Sequence, residues 1–166
     1  MTTSAEPACA TRLRAAVEAA VPRLLALSED AIRHRDAPGR WSPAEVIGHL
    51  VDSASNNHQR FVRAADQNDL VFAGYAQDDW VSRQRYQSAP WEEIVMLWQL
   101  YNRQLARVMA AVPHDVRLRP HVRHNLHRVA FHVVPEDQPA TLDYFMHDYV
   151  DHLEHHVSQV LSPAAD

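Results

Sequence analysis

Four long stretches of this chain repeat their apolar residues at three- and four-residue steps, and this periodicity limits the fold more than any other feature. In residues 8–33, Leu13, Val17, Ala20, Leu24 and Leu27 recur at helical spacing, with Pro22 expected to kink the segment or mark a helix start. The second stretch opens with "WSPAEVIGHL". Ser42 at the N-cap, Pro43 at N1 and Glu45 at N3 make a capping box, and an apolar run follows to about Ala65. In the third, Pro90, Glu92 and Glu93 suit a helix N-terminus. Its expected apolar stripe is Ile94, Leu97, Trp98, Tyr101, Leu105 and Val108, and Pro113 ends it. The fourth runs from Thr141 to Leu161, with Pro163 just beyond. Only 3 residues are glycine, whereas helix formers are plentiful. The expectation is an all-α four-helix bundle, in which ligand and metal sites are built from inward-facing side chains. The links "DQNDLVFAGYAQDDWVSRQRYQ" and Pro113 to Ala140 exceed the roughly 2–8 residues that join antiparallel neighbours, so at least one is expected to cross along the bundle.

At 166 residues the chain is expected to form a single domain, 1–166, large enough to bury a core without disulfides or a structural metal. The single cysteine, Cys9, lies in what reads as a frayed N-terminus, so any metal ligands are His, Asp or Glu. A net charge of −5 with scattered basic residues argues against a nucleic-acid partner. No run approaches the roughly 18 apolar residues of a membrane span, and "MTTSAEPACATRLR" lacks a signal-type core. A cytoplasmic protein with no membrane partner is expected. The compositional outlier is histidine, with 12 residues.

Four of these lie in "DYFMHDYVDHLEHHVSQV". At about 100° per residue, with His152 at zero, His156 falls near about 40°, between Phe145 at about 20° and Tyr149 at about 60°. His147 and His155 fall off this buried arc. The i, i+4 spacing brings the imidazoles of His152 and His156 within reach of one ion. Two partly buried histidines with water or backbone partners explain the pair equally simply. On the second helix His49 borders the apolar arc beside a polar file of Ser53, Asn57 and Arg60. That file reads either as bundle-end residues touching water or as a polar wall for an anionic or amide-bearing substrate.

"WSPAEVIGHLVDS", "YAQDDWVSRQRY", "PWEEIVMLWQLYNRQL" and "TLDYFMHDYVDHLEHHVSQV", in this order from Trp41 to Leu161, resemble the DinB-like or YfiT-like superfamily of metal-dependent enzymes. The resemblance implies a four-helix bundle of up-down-down-up topology, often dimeric, with a divalent metal held by one histidine of "GHL" and two of the final "HxxxH". Here these are His49, His152 and His156. Zinc or nickel suits such imidazole ligation best, with iron or manganese as further options. Three protein ligands leave positions open for water or substrate.

Family members include S-transferases and a maleylpyruvate isomerase that use a low-molecular-weight thiol. A small-thiol-dependent S-transferase acting on a small molecule is the leading expectation. The alternatives are a hydrolase using metal-bound water and a non-catalytic metal- or small-molecule-binding stress protein. Asp52 and Asp148, one turn from a ligand histidine, are candidates to orient an imidazole or to act as a catalytic base. Ser53, Asn57 and Arg60 are the candidate substrate contacts. A homodimer is expected, with Trp80 as an interface candidate. The chain departs from the family in "PEDQPATL", where a glycine often stands before "TL", and in the histidine-rich "HDVRLRPHVRHNLHRVAFH". His121, His124 and His127 there offer a second metal site, but an exposed loop with scattered histidines is the simpler expectation.

Overall fold

A computed structural model describes residues 6–162. Pro163 lies outside the described residues. The helices in chain order are α1 Ala8–Leu25, α2 Glu29–Arg33, α3 Pro43–Ala64, α4 Gln77–Gln84, α5 Trp91–Ala111, α6 His114–Leu118, α7 Leu126–Val129 and α8 Leu142–Leu161, with a 3-10 turn at Tyr86–Ser88. The segment expected as one helix over 8–33 is two. Ser28 breaks it, because its side chain accepts a hydrogen bond from Ala31 N and starts α2. Pro22 sits inside α1 and neither starts nor ends it. The Ser42–Glu45 capping box forms as read. Arg35 locks it further, its Nε and Nη2 donating to the Glu45 carboxylate at 3.0 and 2.6 Å. Thr141 caps α8 by accepting from Tyr144 N.

Side-chain contacts settle the direction of each long helix. His49 near the start of α3 meets His152 and His156 near the end of α8, while Phe61 near the end of α3 meets Phe145 near the start of α8, so these two run antiparallel. Arg12 at the start of α1 pairs with Asp151 and Glu154 of α8, and Arg23 at its end reaches the Leu161 carbonyl, so these run parallel. At the head of α5, Trp91 donates to the Leu24 carbonyl at the tail of α1, which makes that pair antiparallel. The order is therefore up-down-down-up. Since α3 and α5 share a direction, the segment between them must return along the bundle, as its length had required.

Two expectations need correction. Leu97 is 48% exposed. With Trp98 at zero, the buried arc of α5 runs from Ile94 at about −40° to Ala106 at about 80°, and Leu97 falls at about −100°, outside it. Much of the histidine-rich connection is exposed, but His121 and His124 are not scattered on its surface, at 4% and 5% exposure. His121 Nδ1 donates to the Asn68 carbonyl at 3.1 Å. His124 Nε2 donates to the Gln138 carbonyl at 2.6 Å, while its Nδ1 accepts from Leu126 N at 3.2 Å. Both nitrogens of His124 are thus engaged, and with His127 the three make no metal cluster among the described residues. They hold the connection onto the bundle, helped by single β-bridges from Leu70 to His124 and from His121 to Ala140.

Gly48 has a packing reason. A Cβ placed there would lie 2.2 Å from the Tyr86 ring. The missing side chain lets that ring lie flat on α3 with its hydroxyl on Asp52. Gly48→Ala should therefore lower stability by about 1 kcal/mol, because overpacking at ~1–3 kcal/mol outweighs the ~1 kcal/mol gain in helix propensity. In a Tyr86→Ala background the same change should be neutral or stabilising, as read by a thermal-unfolding double-mutant cycle.

Candidate metal centre

The antiparallel contact of α3 and α8 brings His49, His152 and His156 together, with one ring nitrogen from each lying within 4.8 Å of the others. His49 Nε2 and His152 Nε2 are 3.2 Å apart. Two nitrogens bound at ~2.1 Å to one tetrahedral ion would be separated by about 3.4 Å, so the donor set fits a divalent metal. The rings stand nearly perpendicular, with interplanar angles of 75–79°.

Burial leaves these imidazoles neutral. It pushes His49 down to about 4 and His152 down to about 3, helped in each case by the neighbouring imidazole of His156. His156 is lowered too, chiefly by burial, with the Gln159 hydrogen bond acting the other way. Its Nδ1 lies 2.9 Å from Gln159 Oε1. Since that amide oxygen can only accept, Nδ1 carries the proton and Nε2 keeps its lone pair. Gln159 is held in turn by His155, so His155 is exposed yet orients the neighbour of a ligand. His49 Nδ1 is buried without a partner, and its ring is positioned by packing under Trp41 at 4.9 Å between centroids.

A cavity of about 390 Å³ opens onto His152 and His156. Ser53, Asn57 and Arg60, the expected polar wall, line it and are buried to 4%, 6% and 8% exposure. A larger recess of about 820 Å³ reaches the histidines only through Trp41 and Gln159, so direct access to the ligand atoms is by the smaller cavity.

The model of the DinB superfamily matches residues 12–160. The chain belongs to the DinB superfamily. YfiT from Bacillus subtilis, described as a probable metal-dependent hydrolase with an unusual four-helix bundle topology, has a similar structure. The TM-score is 0.74 at 16% identity, over 92% of this chain and 81% of that one. At that identity the likeness establishes the fold. No curated protein matches. Among the described residues no helix is long and apolar enough to cross a membrane.

Within this DinB fold the two carboxylates expected to serve the histidines are engaged elsewhere. Asp52 Oδ1 accepts from Gln84 Nε2 at 2.6 Å and from the Tyr86 hydroxyl at 2.7 Å, while its Oδ2 is buried without a partner. Three residues on from His49 the helix has turned about 300°, which carries Asp52 toward α4. Asp148 borders the cavity, but its oxygens accept from Phe131 N at 2.8 Å and His132 N at 2.6 Å. It thereby clamps Phe131 beside His152, 5.5 Å between rings. Neither carboxylate bonds a ligand histidine.

Sequence reasoning missed Tyr75 and Phe131 in the cavity wall and Gln159 behind His156. Gln159 was legible as one turn beyond His156, whereas the other two lie on connections without periodicity. Trp80, expected at an interface, stands beside Tyr75 at 5.0 Å and is 36% exposed. Cys9 is not frayed but fully buried in α1, near Asp143 and His147. That second cluster offers ligand atoms at metal spacing, yet Arg117 already supplies the cation for Asp143.

Alanine at His49, His152 or His156 should each remove most bound metal, whereas His147→Ala should leave it, as measured by elemental analysis of untagged protein. The metal-free protein should also be acid-sensitive. His49 and His152 ionise in the folded chain only near about 4 and about 3, against 6.5 for the free group. Between these values the unfolded chain binds protons that the folded chain does not. Stability should be full above about pH 6.5 and fall progressively toward about pH 4, with thermal melts across that range as the check.

Proposed function

We propose that the chain is a metal-dependent enzyme in which His49, His152 and His156 hold one divalent ion, zinc or nickel, and a small thiol is transferred to an electrophile bound in the adjoining cavity. The observation that carries this reading is the meeting of three neutral imidazoles at ligand spacing, two of them in the wall of a cavity, with no fourth protein ligand beside them among the described residues. Held by these three histidines, a divalent ion would supply a positive charge that lowers the pKa of a thiol or water beside the cavity.

The residues around the site supply the rest. Gln159 and the packing of Trp41 hold two of the imidazoles in their ligating orientation. Phe131, clamped by Asp148, packs edge to face against His152 in the cavity wall. Ser53 offers a hydroxyl to the substrate, and Asn57, whose amide donates to the Ser53 carbonyl at 2.9 Å and accepts from Arg60 at 3.4 Å, holds that wall in place. Asp148 is the one carboxylate lining the cavity, and both of its oxygens accept from loop amides, so the cavity offers no unengaged carboxylate as a base. This favours a thiol, with an ordinary pKa of about 8.5, over water at about 15.7. Cys9 is buried in α1, so the thiol comes from outside the chain. In the transfer the thiol gives its proton to solvent and its sulfur forms a bond to carbon, while the bond that breaks leaves its electron pair on the departing group or, in an epoxide, on the ring oxygen, which takes up a proton. A homodimer belongs to the same reading and is checked by sedimentation.

Hydrolysis through water is the second reading, favoured by the description of YfiT as a probable metal-dependent hydrolase. The test offers metal-loaded protein a chloronitrobenzene or an epoxide with glutathione, mycothiol and bacillithiol in turn, and separately a panel of esters and amides without thiol. Thiol-dependent consumption of the electrophile, lost in His152→Ala, is the expected result. Ester or amide turnover that needs His152 and ignores every thiol replaces the transferase with a hydrolase. Metal binding without any turnover leaves a non-catalytic binding protein.

A further inference from the structure

Arg60 is the feature of the cavity that its fold does not explain. The side chain belongs to a residue only 8% exposed, and it lines the same wall as His152 and His156. Burying a guanidinium without a counter-ion is costly, and proteins normally pair such charges. Arg117, with a side chain 12% exposed, follows that rule by pairing with Asp143. Among the described residues no carboxylate lies within ion-pair distance of Arg60. Its contacts are neutral: Nη2 donates to the Ala73 carbonyl at 2.7 Å, Nη1 reaches Asn57 Oδ1 at 3.4 Å, and the Phe145 ring lies 5.9 Å from the guanidinium carbon.

The rest of the wall has the same bias. Arg128 adds a second cation, while the carboxylate of Asp148 is occupied by the amides of Phe131 and His132. Tyr75 borders the cavity as a neutral phenol, its hydroxyl pushed up to about 12 mainly by burial, and so offers a donor beside the guanidinium. The imidazoles beside it are neutral, and Asp148, the one carboxylate in the lining, is not within ion-pair distance of Arg60, so the guanidinium has no counter-ion in the chamber.

We propose that this cavity is a carboxylate pocket anchored by Arg60, so that the small molecule bound beside the three histidines carries a carboxylate at the end away from its reacting atom. The proposal rests on the cavity being the substrate chamber of the enzyme described above, but the anion site itself does not require the metal. A guanidinium grips a carboxylate through two parallel N–H···O bonds, which fixes the direction of the molecule as well as its charge. The volume, about 390 Å³, suits a metabolite-sized ligand and not a polymer.

The test uses the whole chain, chelator-treated and untagged, at low ionic strength. The probes are hexanoate and 4-phenylbutyrate, each set against its primary amide, and binding is read by calorimetry and by the shift in melting temperature. The carboxylates should bind and raise the melting temperature, and the amides should bind about tenfold or more weakly. Arg60→Gln should weaken the carboxylates by a similar factor and leave the amides unchanged, with Arg60→Lys in between because it keeps the charge but loses the fork. If Arg60→Gln does not fold, the Arg60→Lys loss decides.

Equal binding of acid and amide by the unaltered chain overturns the proposal, as does full carboxylate affinity in Arg60→Gln or Arg60→Lys. Carboxylate binding that appears only after zinc is added, and ignores Arg60, also overturns it by placing the carboxylate on the metal. The two readings fail separately. Arg60-dependent binding in a chain that holds no metal leaves the pocket and removes the metal-dependent enzyme. Zinc held by the three histidines without any Arg60 dependence does the reverse.

Discussion

The antiparallel packing of α3 against α8 is the contact on which the molecule depends. One end of that seam is an aromatic cluster in which Phe61 meets Phe145 and Tyr149 edge to face, and Phe72 stacks on Phe145. The other end is the meeting of His49 with His152 and His156. The apolar end supplies the burial that holds the helices in register. That register places the three imidazoles at ligand spacing, so a slip of one turn along the seam would separate them by about 5 Å.

Desolvation has opposite effects on the groups along this seam. It keeps the histidines neutral and so fit to ligate, because an imidazole that stays unprotonated offers its lone pair at any pH near neutrality. The same desolvation penalises Arg60 and leaves Asp52 Oδ2 and His49 Nδ1 buried without partners. A helix used only for packing would carry apolar residues at these positions. The surrounding core, with Trp98, Phe61, Phe145, Leu13, Leu24 and Ile47 all nearly fully buried, offsets these costs.

The connections matter as much as the helices. Asp148 turns its charge on two loop amides and so fixes Phe131 at the cavity. Tyr86 lies on Gly48 and bonds Asp52, which ties the crossover to the first turns of α3 beside His49. His121 and His124 bond backbone carbonyls and hold the last connection down, away from any metal. Five of the 12 histidines thus fall into two separate groups, His49, His152 and His156 at ligand spacing between α3 and α8, and His121 and His124 on backbone carbonyls in the links.

The helices, their caps and the phase of the key residues were legible in the sequence because they follow from short-range rules. The Ser42–Glu45 box acts over three residues, and the face shared by His152 and His156, or by His49 and Arg60, follows from 100° per residue. The family motifs extended this to the three-histidine set, which periodicity alone did not join. Only the tertiary structure could decide which groups those faces meet. Asp52 was placed correctly on α3, but its partners, Gln84 and Tyr86, lie 32 and 34 residues away. Leu97 reads as apolar stripe until the positions of α1 and α3 define which arc of α5 is covered. Tyr75 and Phe131 belong to no repeating pattern, since a loop residue reaches a cavity through the path of the chain and not through its spacing. Whether Arg60 has a counter-ion is likewise a fact about everything packed around it, and no local rule contains it.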